Sequence, residues 1–182
     1  MSAALKGAYG FFSLTDYFSH PIHKVEDITE EKEGKFIADV AKAAGIKHFI
    51  YSTLPETKES SGGKYPHVYH FDCKDRVAQY ARGLGFETLS LVAPSCYMQN
   101  FYRSAYVVRC QTVQRLSLKD QSGTVTFSVP LPSLEDTFPV CDIDHDIGPV
   151  VKAIIDLGHK ANDKLYPIVS EYASVCERRF SS

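Results

Sequence analysis

Three strand-length apolar runs divide the first half of the chain. Each run has eight or nine residues including its flanks, and each is bounded by glycine, proline or charged positions. Runs of this length and flanking predict buried β-strands. They are GAYGFFSLT at 7–15, which contains Phe11 and Phe12, IKHFIYST at 46–53, and ETLSLVAPS at 87–95.

Two segments between these runs have helical periodicity. DITEEKEGKFIADVAKAAG begins with Asp27 three residues before Glu30, which is a capping-box spacing, and it ends at Gly45. Its apolar residues recur at positions 36, 37, 40, 41 and 44, which predicts an amphipathic helix with that face buried. YHFDCKDRVAQY opens a second predicted helix, whose apolar face is formed by Val77, Tyr80, Ala81 and Leu84.

Strand, helix, strand, helix, strand is the order of consecutive crossover units on a parallel sheet, so the first half is predicted to be α/β. The second half is less regular. CYMQNFYRS at 96–104 predicts a short helix, TVTFSVPLP at 124–132 predicts sheet, and DIGPVVKAIIDLG predicts a helix capped by Asp146. We expect one domain over 1–182, with parallel units in 1–95 and a small mixed part in 96–182.

Composition narrows the functional classes. The chain has 182 residues, 44% hydrophobic and 23% charged, as expected for a soluble globular protein. A formal net charge of −2 gives no electrostatic reason to bind nucleic acid or an anionic membrane. Five scattered cysteines without a C-x-x-C pair are typical of reduced thiols. We therefore expect an intracellular protein in the cytoplasm or also the nucleus.

Five segments in a fixed order carry a family resemblance. They are LKGAYGFFSLTDYF, EEKEGKFIADVAKAAGIKHFIYST, HFDCK, APSCYMQNF and DIDHDIGPVV. Together they resemble the NmrA-like family, atypical members of the short-chain dehydrogenase/reductase superfamily, over about residues 3–175. The resemblance implies a Rossmann-type domain for NADP(H). In many members it also implies regulation of a protein partner, often a transcription factor, instead of turnover.

The resemblance also implies where a cofactor would bind. Its contacts would fall at the ends of predicted strands or on the helices that follow, which is where open parallel sheets hold ligands. The implied residues are Thr15, Asp16, Tyr17, Lys32, Lys74, Tyr97, Met98, Gln99 and Asn100.

One departure from the family concerns the phosphate-binding turn. The sequence contains no G-x-G-x-x-G, so backbone N–H groups at a helix N-terminus are not supplied to a pyrophosphate. LKGAYGFF resembles the family near the fourth strand of the sheet. We therefore expect a domain shortened at both ends, with NADP(H) binding weakened or lost.

The second departure lies in the predicted helix at Tyr69. Active short-chain dehydrogenases place a tyrosine four residues before a lysine, because that spacing puts both groups on one helix face. Here the residue four before Lys74 is His70. His70 could still transfer a proton, since a neighbouring positive charge keeps an imidazole neutral near pH 7. His70 and Lys74 are the catalytic candidates, although a polar residue at a helix start is the favoured interpretation of His70.

No metal site is predicted. Asp142, Asp144 and Asp146 alternate as in a calcium loop, but Ile147 stands at the required glycine and Ala153 at the required glutamate. His20 and His23 have no carboxylate or cysteine at ligand spacing.

These observations favour a non-catalytic, regulatory NmrA-like protein with weakened dinucleotide binding. An NADP-dependent reductase or isomerase is the alternative, and an interaction module acting through a sheet edge is a third hypothesis. Between Gly7 and Thr15 there is neither lysine nor proline to protect a strand edge. We therefore expect a homodimer that pairs through this strand.

Overall fold

A computed structural model describes residues 3–19, 29–101, 118–119, 125–126, 133 and 135–174. These residues fall into two compact units. The first contains the described residues up to Pro94 together with Gly148–Ile168, and the second contains Ser95–Ile147 and the residues from Val169 onward. The prediction of a single domain stays a prediction.

The elements of the described residues alternate as expected in the first half. In chain order they are β1 (Gly10–Ser13), α1 (Thr29–Ala43), β2 (His48–Ser52), α2 (Tyr69–Gly83), β3 (Thr88–Pro94), β4 (Cys96–Tyr97), β5 (Leu118–Lys119), β6 (Val125–Thr126), β7 (Thr137–Cys141), α3 (Ile147–Leu157), β8 (Lys164–Ile168) and β9 (Glu171–Ser174).

The first unit contains a parallel sheet with the strand order β1-β2-β3-β8. Phe12 of β1 pairs with Ile50 of β2, and Ile50 pairs with Ser90 of β3. All three strand pairs are parallel, and the intervening segments include α1 and α2. The α/β fold class with a partial Rossmann-like sheet is confirmed.

Residues 148–168 belong to the first unit, although the sequence grouped them with the C-terminal part. β8 pairs with β3 and extends the sheet as its fourth strand. Ile154 of α3 is buried, and the Ala161 carbonyl accepts a 2.8 Å hydrogen bond from the Ser90 hydroxyl. Long-range pairing of this kind leaves no local signal in the sequence.

The core of the first unit lies where β2 and β3 face the two helices. Phe49 and Tyr51 of β2 and Leu89 and Leu91 of β3 are buried in one cluster with α1 and α2. The two helices lie close together at Gly34, where an added Cβ would lie 2.6 Å from Val77 Cγ2. A residue without a side chain allows this approach.

The buried face of α1 differs from the predicted one. Phe36 is 63% exposed, whereas the buried residues of α1 are Glu30, Glu31, Gly34, Ala38 and Ala41. The predicted apolar face at 36, 37, 40, 41 and 44 is therefore buried at Ala41, half-buried at Ile37, Val40 and Ala44, and wrong at Phe36. Small residues face α2 because the helices lie close together, and the two glutamates are buried with cationic partners.

The second unit contains a three-stranded sheet in the order β4-β7-β9. β4 pairs with β7 in parallel, and β7 pairs with β9 antiparallel. The segment 96–104, predicted to be a short helix, forms β4 and a 3₁₀ helix over Met98–Phe101, and the remainder lies outside the described residues.

Two residues were predicted to cap helices. Asp146 directly precedes α3 as predicted, but the described hydrogen bonds of its Oδ2 are with the Asp142 backbone N–H at 2.8 Å and the Ser170 hydroxyl, which lie outside α3. Asp27 lies outside the described residues, as do His20, His23 and most of 124–132. Among the helices that the structure describes, none is long and apolar enough to cross a membrane.

Candidate functional site

A cluster of polar side chains lies at the carboxyl end of the parallel sheet in the first unit. Thr15 follows β1, Tyr51 is the penultimate residue of β2, Glu30 is in the first turn of α1, and Lys74 is in the second turn of α2. Open parallel sheets bind ligands at this edge because adjacent strands end there together.

Lys74 is held by three acceptors of the protein itself. Its Nζ lies 2.6 Å from Glu30 Oε1, 2.6 Å from the Thr15 carbonyl oxygen and 3.1 Å from Thr15 Oγ1. The ammonium group therefore donates two hydrogen bonds to Thr15, and its charge is paired with Glu30. The Lys74 side chain is 13% exposed and that of Glu30 is 1% exposed.

The hydroxyl groups of the cluster have a defined direction of donation. Thr15 donates to Glu30 Oε1 at 2.7 Å, so its two lone pairs are left to accept from Lys74 and from Tyr51 at 3.1 Å. Burial raises the pKa of Tyr51 far above its ordinary value, which keeps the phenol protonated and able to donate. Glu30 Oε2 is buried and has no hydrogen-bond partner among the described residues.

His70 packs among aromatic rings beside this cluster. Its ring centroid lies 5.7 Å from Tyr17, 5.8 Å from Phe18 and 4.8 Å from Phe71. Burial lowers the pKa of His70, and the Lys74 charge lowers it further, whereas the Glu30 charge opposes the shift. The imidazole is therefore neutral near pH 7. Burial also raises the pKa of Tyr17.

A second ion-pair cluster joins the same two helices. Glu31 accepts from Arg76 Nε at 2.5 Å and from Lys35 Nζ at 2.6 Å. Burial alone would raise the pKa of Glu31, but these two cations lower it. Arg76 also donates to Cys73 Sγ at 3.2 Å, and burial raises the pKa of Cys73 to about 11. The Cys73 thiol therefore stays protonated and unreactive near neutral pH.

The structure brings together only some of the predicted cofactor residues of the first unit. Thr15 and Lys74 are in direct contact, and Tyr17 packs against His70. Asp16 is exposed and accepts a 2.9 Å hydrogen bond from the Phe18 N–H, which stabilises the turn after β1. Lys32 is exposed on α1.

The other predicted cofactor residues, Tyr97, Met98, Gln99 and Asn100, belong to the second unit. Gln99 is buried there, and its amide donates to Asp142 Oδ1 at 2.6 Å and to Asp144 Oδ2 at 3.1 Å. Tyr97 is opposite Cys141 in the β4–β7 register. Within the described ranges, no group of three His, Cys, Asp or Glu side chains could hold a metal ion.

Glu30 is the central residue that the sequence did not identify. It was assigned only to a helix cap, because a glutamate near a helix start is ordinarily solvated. A signal was present in the spacing: Glu30, Gly34 and Ala38 lie four residues apart and share a helix face. A charged residue on the same face as small buried residues indicates a buried charge with a partner.

Comparisons with known proteins identify the family of this chain. The model of the NmrA-like family matches residues 1–177. An NmrA-like family domain-containing oxidoreductase of Cladobotryum, FrzB, is 31% identical over 175 residues, covering 94% of this chain and 51% of the relative. The nitrogen metabolite repression protein nmr of Neurospora crassa is 29% identical over 132 residues, covering 72% of this chain and 25% of the relative.

Among solved structures, the triphenylmethane reductase of Citrobacter in complex with NADP(H) has a TM-score of 0.62 at 14% identity, covering 95% of this chain and 51% of that one. This similarity concerns the fold. This chain spans about half the length of FrzB. The family match over nearly the whole chain, together with the parallel sheet, shows that the chain belongs to the NmrA-like family.

Proposed function

We propose that this chain is a regulatory NmrA-like protein that binds NADP(H) weakly, acts on a protein partner and does not turn over a substrate. The observation that carries the proposal is that Lys74 donates two hydrogen bonds to Thr15 and forms an ion pair with the buried Glu30. A ribose hydroxyl would have to compete with these contacts for the ammonium group. The similarity to the repression protein of Neurospora supports a regulatory role.

Catalysis is disfavoured by the residue that stands in place of the tyrosine. A dehydrogenase needs a proton donor whose pKa a nearby lysine lowers. His70 is packed among three aromatic rings, and the charge of Lys74 is already compensated by Glu30. Tyr51, the phenol in the cluster, is fully buried and its pKa is raised, which is the opposite of activation.

We expect the 182-residue chain to bind NADP⁺ and NADPH with dissociation constants weaker than micromolar, which corresponds to less than about 8 kcal/mol of binding free energy. The chain has no Gly-rich turn to present N–H groups and a helix dipole to the pyrophosphate. Isothermal calorimetry measures this directly. A micromolar or tighter constant would contradict the expectation.

A thermal melt at millimolar ligand tests whether weak binding exists at all. A ligand that binds only the folded state raises the melting temperature, and the stabilisation grows as RT ln(1 + [L]/Kd). We expect a small shift that increases with NADPH concentration and none with an equal concentration of ribose. A melting temperature unchanged by NADPH would remove dinucleotide binding from the proposal.

An NADP-dependent reductase or isomerase is the alternative function. FrzB is named an oxidoreductase, and the neutral imidazole of His70 can accept or donate a proton. This function predicts NADPH oxidation, followed by absorbance, with some member of a panel of small carbonyl compounds. Turnover that disappears in His70→Phe, which keeps an aromatic ring, would favour the enzyme over the regulator.

We further propose that the 182-residue chain forms a homodimer through β1. β1 and β8 are the end strands of the described sheet of the first unit. β8 contains Lys164 and Pro167, residues that commonly prevent edge pairing, whereas β1 contains neither. Tyr9 and Leu14, on either side of β1, are 52% and 60% exposed. A symmetric β1–β1 contact is the arrangement that these features favour.

Phe12→Lys is expected to convert this dimer to monomers, because a lysine on an edge strand opposes pairing. Light scattering measures the mass, and circular dichroism verifies that the variant is folded. Phe36→Lys on α1 is the matched control, since Phe36 is an exposed phenylalanine away from the strand. A wild-type chain that stays monomeric at high concentration would refute the dimer whatever the variant does.

A further inference from the structure

We propose that Glu30 sets the dinucleotide affinity of this chain by holding the Lys74 ammonium inside the protein. This role rests on the proposed function, in which the carboxyl end of the first sheet binds NADP(H). Glu30 would act through Lys74 and not on the ligand, so it is a positioning residue.

The competition follows from the contacts of the Lys74 ammonium group. It donates to Thr15 O at 2.6 Å and to Thr15 Oγ1 at 3.1 Å, and it forms an ion pair with Glu30 Oε1 at 2.6 Å. A ligand hydroxyl must compete with these three oxygens for the ammonium group. Two of them are neutral, and the third is the carboxylate of Glu30.

Releasing Lys74 is costly because Glu30 cannot turn to solvent. The Glu30 side chain is 1% exposed. Besides the ion pair with Lys74, its Oε1 accepts a hydrogen bond from the Thr15 hydroxyl, and its Oε2 has no hydrogen-bond partner among the described residues. A buried carboxylate that loses its cation loses more free energy than a neutral hydroxyl regains by binding the freed ammonium. The pair therefore keeps Lys74 from the ligand.

The neighbouring Glu31 provides the contrast that isolates this effect. It has two cationic partners, Lys35 and Arg76, whose side chains are 36% and 42% exposed. The described hydrogen bonds and ion pairs of Glu31 are with Lys35 and Arg76 and not with Lys74, although Glu31 is adjacent to Glu30 on the helix. Neutralising either glutamate changes the net charge by the same amount, but only Glu30→Gln loosens Lys74.

The test compares the NADPH dissociation constants of the 182-residue wild type, Glu30→Gln, Glu31→Gln and the double variant Glu30→Gln/Lys74→Met by calorimetry. Glutamine can still accept from Thr15 but no longer needs a cation. We expect Glu30→Gln to bind NADPH at least about tenfold more tightly, or about 1.4 kcal/mol. Glu31→Gln should match wild type, and the double variant should lose the gain.

Reactivity of Lys74 gives a readout without ligand. Acylation followed by peptide mass spectrometry should show Lys74 protected in the wild type relative to Lys32, which is exposed on α1. In Glu30→Gln the rate at Lys74 should rise while that at Lys32 stays constant. If Glu30→Gln does not fold, Glu30→Asp, whose shorter side chain withdraws the carboxylate, serves in both measurements with a smaller expected change.

Three results would overturn the role of Glu30. Equal NADPH affinities of wild type and Glu30→Gln would do so while leaving weak NADP(H) binding intact. A gain that persists in the double variant would show that Glu30 merely repels the phosphates. Absence of NADPH binding by every variant at millimolar concentration would instead remove the proposed dinucleotide site, and the role of Glu30 with it.

Discussion

Replacing Lys74 with alanine is expected to lower the free energy of unfolding by about 3–5 kcal/mol, the usual cost of removing one partner of a buried ion pair. Glu30, which is 1% exposed in the wild type, would be left without its cation. Thr15 would also lose the donor that bonds its carbonyl and hydroxyl oxygens. The large effect follows from burial, since an exposed pair contributes little.

Urea unfolding followed by circular dichroism measures this loss. Lys32→Ala is the matched control, because an exposed lysine on a helix should change stability by no more than about 0.5 kcal/mol. Adding Glu30→Gln to Lys74→Ala should recover part of the loss, since it removes the unpaired charge. A Lys74→Ala protein as stable as Lys32→Ala would contradict the buried pair.

This stability effect changes how a binding experiment at Lys74 must be interpreted. A lysine substitution that weakens NADPH binding is ambiguous if the same change destabilises α1, α2 and the end of β1. The pairing of Lys74 with Glu30 makes the double variant the informative comparison. For a site residue that also stabilises the fold, binding should be compared with a variant in which its ion-pair partner is changed as well.

The sheet of the first unit was predictable because its signals are local. Each of β1, β2 and β3 is a short apolar run between breaks, and α1 and α2 have helical periodicity. A parallel sheet then follows, because each helix returns the chain to the end of the sheet where the strands begin. Thr15 and Lys74 could likewise be placed near the carboxyl ends of the strands from the family resemblance.

The exposure of Phe36 and the burial of Glu30 on α1 were not predictable by the same reasoning. Hydrophobic periodicity weights Phe36 heavily and counts Glu30 as polar. The fold reverses both assignments, because Phe36 is 63% exposed and Glu30 is buried. The burial of Glu30 depends on Lys74, which lies 44 residues further along the chain and outside any window of this helix.

The second unit shows the same limit. Cys96 and Tyr97 form β4 because they pair with Val140 and Cys141, more than 40 residues away. The local pattern of CYMQNFYRS contains no trace of that pairing and favours a helix. β8 joins the first sheet by a similar long-range pairing with β3.

The second large expected effect concerns Gly34, where α1 lies close to Val77 of α2. Gly34→Ala would place a methyl group 2.6 Å from Val77 Cγ2 and 2.9 Å from Cγ1. Val77 is fully buried and β-branched, so its side chain has no free rotamer to adopt. The helices must move apart, which disturbs the Ala38 and Ala41 contacts of the core.

We therefore expect Gly34→Ala to destabilise the chain by about 1–3 kcal/mol, since overpacking outweighs the gain of about 1 kcal/mol in helix propensity. Gly83→Ala is the matched control. Gly83 is the last residue of α2, and an added Cβ there meets nothing within 4 Å, so Gly83→Ala should be neutral or stabilising.

Combining Gly34→Ala with Val77→Ala should cost less stability than the sum of the two single changes, because the smaller residue at position 77 removes the clash. Thermal and urea unfolding of the wild type and the four variants measure these differences. A Gly34→Ala protein as stable as Gly83→Ala would show that the helices do not touch at this point.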